Sequence, residues 1–84
     1  MMQHDMQPAA LIVRWEFERA HRHLMCAVHS EPGASSYEVA TVPLWNVGRT
    51  AVETFASPAE ALRRHAAIAA DLRDSGWRVA AYTA

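Results

Sequence analysis

Four side chains with metal-binding chemistry crowd one short stretch: His21, His23, Cys26 and His29. Imidazole and thiolate are ligands that zinc prefers, and a tetrahedral site needs them to converge within about 2.0–2.3 Å of one ion. The same stretch offers a second chemistry, a Cys26 thiolate activated by a neighbouring imidazole. What residues 11–29 fold into decides between these. The segment has no Gly, Pro or Asn, and Leu11, Trp15, Ala20, Leu24 and Val28 partly follow a helical period. A helix would gather the ligands. A hairpin fits the residues better. Val13, Trp15 and Phe17 alternate with Arg14, Glu16 and Glu18, and Leu24, Cys26 and Val28 alternate with His23, Met25 and His29. Folding about Ala20 and His21 pairs Phe17 with Leu24, Trp15 with Cys26 and Val13 with Val28 on one face. It pairs Glu18 with His23 and Glu16 with Met25 on the other. One register satisfies both strands, which is how a hairpin is specified. His23 and His29 then lie roughly 20 Å apart along a strand, and Cys26 points to the opposite face. The expectation is no metal site, and a Cys26 that is a small buried hydrophobe facing Trp15. Arg19-Ala20-His21-Arg22 lacks the Asn-Gly chemistry of the tightest turns, so a four-residue loop is expected there.

The remaining reactive groups are weaker. His65 interrupts an apolar helix stripe and reads as a rim histidine, its ring packed and one nitrogen in water. Glu16 and Glu18 share one strand face and read as solvated charge, not as the paired carboxylates of a glycosidase cleft. Phosphate loop, nucleophile elbow and dinucleotide fingerprint are all missing from the sequence. No catalytic, metal-binding or cofactor-binding residue is therefore assigned, no cofactor is implied, and the expected function is non-enzymatic. Trp45 is different. It adjoins the 46–48 loop with Arg49 beside it, and an aromatic next to arginine suits a protein hot spot or a nucleobase stack.

Eighty-four residues make one domain, read as an N-terminal arm at 1–8 and a folded unit at 9–84. Ser57, Pro58 and Glu60 fit Ncap, N1 and N3 of a helix over about 58–75. Gly76 fits the left-handed C′ position, with Trp77 packing back on Leu72. The helix stripe is Ala61, Leu62, His65, Ile68, Ala69 and Leu72. Residues 31–36 are a turn cluster. A third strand follows at 37–44, and a three-residue hairpin loop over 46–48 places Gly48 in the left-handed region. A fourth strand runs over 49–55, and 78–82 reads as a short final strand or a packed tail. The fold class is α+β: a four-stranded antiparallel meander packed on one face by one long helix, ββββα, with a possible short C-terminal strand. The expected core is Val13, Trp15, Phe17, Leu24, Cys26, Val28, Leu62, Ile68, Ala69 and Leu72.

A chain this short builds a thin core. If the Gly48 loop sets the register, Ala40, Val42, Leu44 and Val52 share one face, while Tyr37, Val39, Ala51 and Phe55 share the other. One helix covers one face. The reading assigns the leftover face to Tyr37, Val39 and Phe55 and expects a homodimer, or another protein partner, to cover it. Trp45 and Arg49 join these three as candidate partner-binding residues.

The net charge is −1, and all eight basic residues are arginine. Nucleic-acid binders usually carry excess positive charge, so nucleic acid ranks behind protein as partner. If nucleic acid binds, Trp45, Arg49, Arg14 and Arg22 are the residues to carry it. Cys26 is the sole cysteine, so no internal disulfide can form. With no basic leader and no apolar run long enough to span a bilayer, the expected location is cytoplasmic, away from membrane.

The segments 14–19, 24–28, 55–61 and 75–77 together resemble a class of small uncharacterised bacterial proteins whose helix ends in Gly-Trp, and that resemblance implies a fold with no assigned activity. The ββββα order also resembles the single-stranded-DNA-binding coactivators of the PC4 and Whirly type, which pair as dimers. Double-stranded-RNA-binding domains share a βββα half, but their basic helix start is replaced here by Glu60.

Overall fold

The computed structural model describes residues 10–31, 33 and 35–83. The expected arm at 1–8 lies outside the described residues, as do Pro32 and Ala34 of the turn cluster. The elements are β1 (Ala10–Arg19), β2 (Arg22–Ser30), β3 (Tyr37–Pro43), a 3₁₀ turn at Val47–Arg49, β4 (Ala51–Phe55), α1 (Pro58–Asp74) and β5 (Arg78–Thr83). The strands form one antiparallel sheet in the order β4-β3-β2-β1-β5, with α1 packed on one face. The α+β meander with one helix is thus the observed fold. The C-terminal segment is a fifth strand at the edge of β1, not a tail folded over a face.

The first hairpin has the register that its side chains dictate, with Val13 opposite Val28, Trp15 opposite Cys26 and Phe17 opposite Leu24. Its turn is tighter than expected. Arg19 pairs with Arg22, leaving a two-residue loop of Ala20 and His21 at φ 50° and 66°. Positive φ at both central positions is what a twist-matched two-residue turn needs. The apolar pairing fixes the register, and two non-glycine residues take the left-handed strain to close it.

The second hairpin departs further. Its connection includes the 3₁₀ turn at Val47–Arg49, and the chain's positive-φ glycines are Gly33 and Gly76, so Gly48 is not the left-handed pivot. Thr50 closes the turn by donating its backbone N–H and its hydroxyl to the Val47 carbonyl. The faces nevertheless group as read, because Tyr37 pairs with Phe55, Ala40 with Val52 and Thr41 with Ala51.

Helix α1 is delimited by its caps. The Ser57 hydroxyl accepts from the Glu60 N–H at 3.2 Å, with Pro58 opening the first turn. At the other end Gly76 takes φ 92°, the Gly76 N–H donates to Arg73 O, and the Trp77 N–H donates to Leu72 O at 2.9 Å. That pair of bonds is the Schellman arrangement.

The helix presents an i, i+4, i+8 column of Ala61, His65 and Ala69, all buried, to the sheet. The core comprises Phe17, Cys26, Val28, Val39, Ala61, Ala69 and Trp77, ringed by half-buried Ile12, Val13, Trp15, Leu24, Tyr37, Phe55, Ile68 and Leu72. Leu62 is the exception to the expected core, being 42% exposed. The column facing the sheet is centred on His65, and Leu62 stands about a sixth of a turn away from it.

A substitution at Gly76 isolates the backbone contribution to this cap. A Cβ placed there meets its nearest neighbour, Arg19 Cδ, at an ordinary 3.5 Å, so Gly76→Ala adds no clash. It strains a left-handed residue instead. The expected loss is about 1 kcal/mol in denaturant unfolding, with the fold unchanged by circular dichroism.

Candidate functional site

The residues clustered in sequence are dispersed by the sheet. Cys26 is fully buried on the helix side of β2, where its sulfur lies 3.9 Å from Thr41 Oγ1. His23 and His29 lie on the opposite face, and His21 sits in the turn. Among the described residues no three His, Cys, Asp or Glu side chains gather as a metal site would require. Burial pushes the Cys26 thiol above its usual value, against a smaller opposing pull from the Thr41 hydroxyl. His23 Nδ1 instead meets Glu16 Oε2 at 3.1 Å, while Arg14 Nη2 lies 3.9 Å from Glu16 Oε1. A depression between β1 and β5, lined by Arg14, Glu16, Ala81, Tyr82 and Thr83, holds about 50 Å³. Small-molecule sites run to roughly 300–1,000 Å³.

His65 is not a rim residue. It is 5% exposed, its Nε2–H donates to the Cys26 carbonyl at 3.3 Å, and Trp15 meets its ring edge-on at 5.6 Å between centroids. The alanines on either side in the column let the helix approach closely enough for this bond. Burial lowers its pKa, and the bond to Cys26 opposes that only in part.

The expected partner residues divide into two groups. Val39 is 1% exposed and belongs to the core, and Tyr37 and Phe55 are half-buried against it. The face they share is the one the helix covers, so the expectation that it stands bare is corrected. Its partner set decides this: β2 turns Cys26 and Val28 toward the helix, and Val28 pairs with Val39. Continuity across the sheet then carries Tyr37 and Phe55 to the helix side.

Trp45 and Arg49 remain at the surface, at one end of the sheet. That end is assembled from three connections. The β1–β2 turn supplies Arg19 and Arg22, the β3–β4 connection supplies Trp45 and Arg49, and the α1–β5 junction supplies Trp77. The Leu44 N–H donates to His23 O, which ties the first two together, and Arg19 Nη1 donates to Ser75 O at 2.6 Å, which ties the first to the third. Trp45 and Trp77 stack with centroids 5.9 Å apart and planes 13° from parallel. The Arg22 guanidinium lies over Trp45 and that of Arg19 over Trp77, each 5.0 Å from the ring centroid. Trp77 is 9% exposed and anchored in the core, while Trp45 is 45% exposed. The sequence marked Trp45 and Arg22 separately. Their union with Trp77 and Arg19 depends on which turns meet at one end of the sheet, a long-range fact with no local signal.

Comparison with protein-family models, with curated proteins and with solved structures finds no match. No helix among the described residues is long and apolar enough to cross a membrane.

Two tests follow from the buried pair. A lowered histidine pKa means that the folded chain takes up a proton less readily than the unfolded one. Stability is therefore full above the unfolded value of about 6.5 and falls as pH drops below it. His65→Gln keeps a donor for the Cys26 carbonyl but removes the titration, so its denaturation midpoint should fall less than that of the wild type between about pH 7.5 and 5.5. Cys26 should resist alkylation in the native state and react fully once denaturant unfolds the chain.

Proposed function

We propose that this chain is a small non-enzymatic interaction module of the cytoplasm that self-associates through the β2–β4 half of its helix-free sheet face. One observation carries the reading: that face is divided. On β1 its positions are charged, Arg14, Glu16 and Glu18, and Arg78 of β5 pairs with Glu18 at 2.9 Å. On β2, β3 and β4 it carries a central apolar patch of Met25, Ala27, Ala40, Val42 and Val52, bounded by His23 at one end and by His29, Glu38 and Thr54 at the other, and Val52 is 52% exposed. An antiparallel sheet with a solvated face normally keeps that face polar throughout. Ala27 and Ala40 are already covered by their neighbours, so the surface open to a packed sheet is made by the larger side chains around them, Val52 above all.

The occupant that fits is a second copy, because a two-fold contact lets one apolar half meet its equal and leaves the charged half in water. A stable interface takes roughly 800 Å² from each partner. That is about a seventh of the 5452 Å² of accessible surface on the described chain, within reach of half a five-stranded sheet. It also compensates for a thin core, in which the largest fully buried side chains among the described residues are Phe17, Val28, Val39 and Cys26.

Sedimentation at micromolar concentration tests this. The wild type should run as a dimer, and Val52→Glu should run as a monomer with unchanged circular dichroism. A wild type that stays monomeric up to about 100 μM, far above the micromolar Kd a working dimer needs, would remove the proposal. A Val52→Glu dimer would show that the surface is elsewhere.

A further inference from the structure

The end bearing the stacked tryptophans has a charge unlike that of the whole chain. Arg19, Arg22, Arg49, Arg73 and Arg78 lie at or next to it, five of the eight arginines, against three acidic residues there, Glu18, Asp71 and Asp74. Arg73 reaches from the last turn of α1 to within 5.8 Å of the Trp15 centroid, and Arg78 pairs with Glu18. Arg14, Arg63 and Arg64 lie away from this end, among Glu16, Glu31, Glu38, Glu53 and Glu60; Arg64 pairs with Glu53 at 2.7 Å and Arg14 lies by Glu16. The net charge of −1 is therefore an average over a positive end and a negative remainder. A polyanion responds to the local field, not to the average.

We propose that this end binds single-stranded nucleic acid, with an unpaired base stacked on Trp45 and the flanking phosphates held by Arg19, Arg22 and Arg49. The chemistry matches on both counts. Trp45 is held by Trp77 from the core, so its ring is positioned before any ligand arrives. The exposed Arg22 side chain covers that ring, and a planar base can take its place while the guanidinium turns to a phosphate. Guanidinium is the group that meets phosphate in a bidentate way, and every basic residue here is arginine. The base must be unstacked to reach the ring, which selects a single strand over a duplex. An acidic peptide would satisfy the arginines but leave Trp45 without a partner. This site shares no residue with the proposed dimer surface, so either can fail without the other.

Anisotropy of a short fluorescein-labelled oligothymidine, titrated with the full chain at several salt concentrations, provides the test. Binding should weaken with salt. Arg22→Gln and Arg49→Gln should each make the log–log salt slope shallower by about 0.7. Trp45→Ala should cost about tenfold in affinity, and Trp45→Phe should restore most of it. Arg63→Gln, on the helix away from this end, should change neither slope nor affinity. Circular dichroism of each variant keeps a folding defect from passing as a binding defect. No binding at low salt would overturn the proposal. So would polyglutamate competing as well as unlabelled oligothymidine with no penalty from Trp45→Ala, which would mark the end as a surface for acidic protein.

Discussion

The contact between Ala61, His65 and Ala69 and the middle of the sheet is the constraint on which the rest of the molecule depends. The sheet contributes the bulk, with Phe17, Val28 and Val39, and the helix contributes small side chains that let its backbone come near. Close approach brings a polar ring into a dry layer. An unbonded imidazole there would be costly, and the Cys26 carbonyl removes that cost by accepting from Nε2. The same bond fixes the angular setting of α1, because a rotation that buried Leu62 would carry His65 away from β2. Leu62 lies beside the buried column and is 42% exposed.

The helix position in turn decides which sheet face is interior. Both faces of the β3–β4 hairpin carry apolar residues, and nothing within that hairpin says which one the helix takes. The decision is made on β2, where Cys26 and Val28 are unambiguous, and is passed to β3 through the Val28–Val39 pair. Reading the hairpin by itself inverts the answer, and with it the location of the bare apolar patch.

Legibility in the sequence follows the range of the interaction. The helix ends were readable because Ser57, Glu60, Gly76 and Trp77 act within a few residues of one another. The first hairpin was readable because its two strands carry matching alternation. The tight Ala20–His21 turn was not, since its conformation is imposed by the strands against the preference of its own residues. Gly48 misled for the opposite reason: a residue permitted to be left-handed need not be. Of the candidate site, Trp45, Arg49 and Arg22 were visible as types, whereas Trp77 was visible only as a cap. Its second role, as the platform beneath Trp45, arises from tertiary structure.

The placement of β5 has a consequence for how the chain reaches this state. Every other strand pairing joins consecutive elements, but β5 returns to β1, so that Glu18 meets Arg78 across most of the sequence. Closing so long a loop is entropically expensive, and contacts of that span form late. During synthesis β1 emerges first and waits for its outer neighbour until the final strand has been made. Through that interval its outward edge offers unsatisfied amides and carbonyls to any other extended chain. The charged side chains of Arg14, Glu16 and Glu18 lie along that same strand, and charge on an unpaired strand disfavours the addition of another.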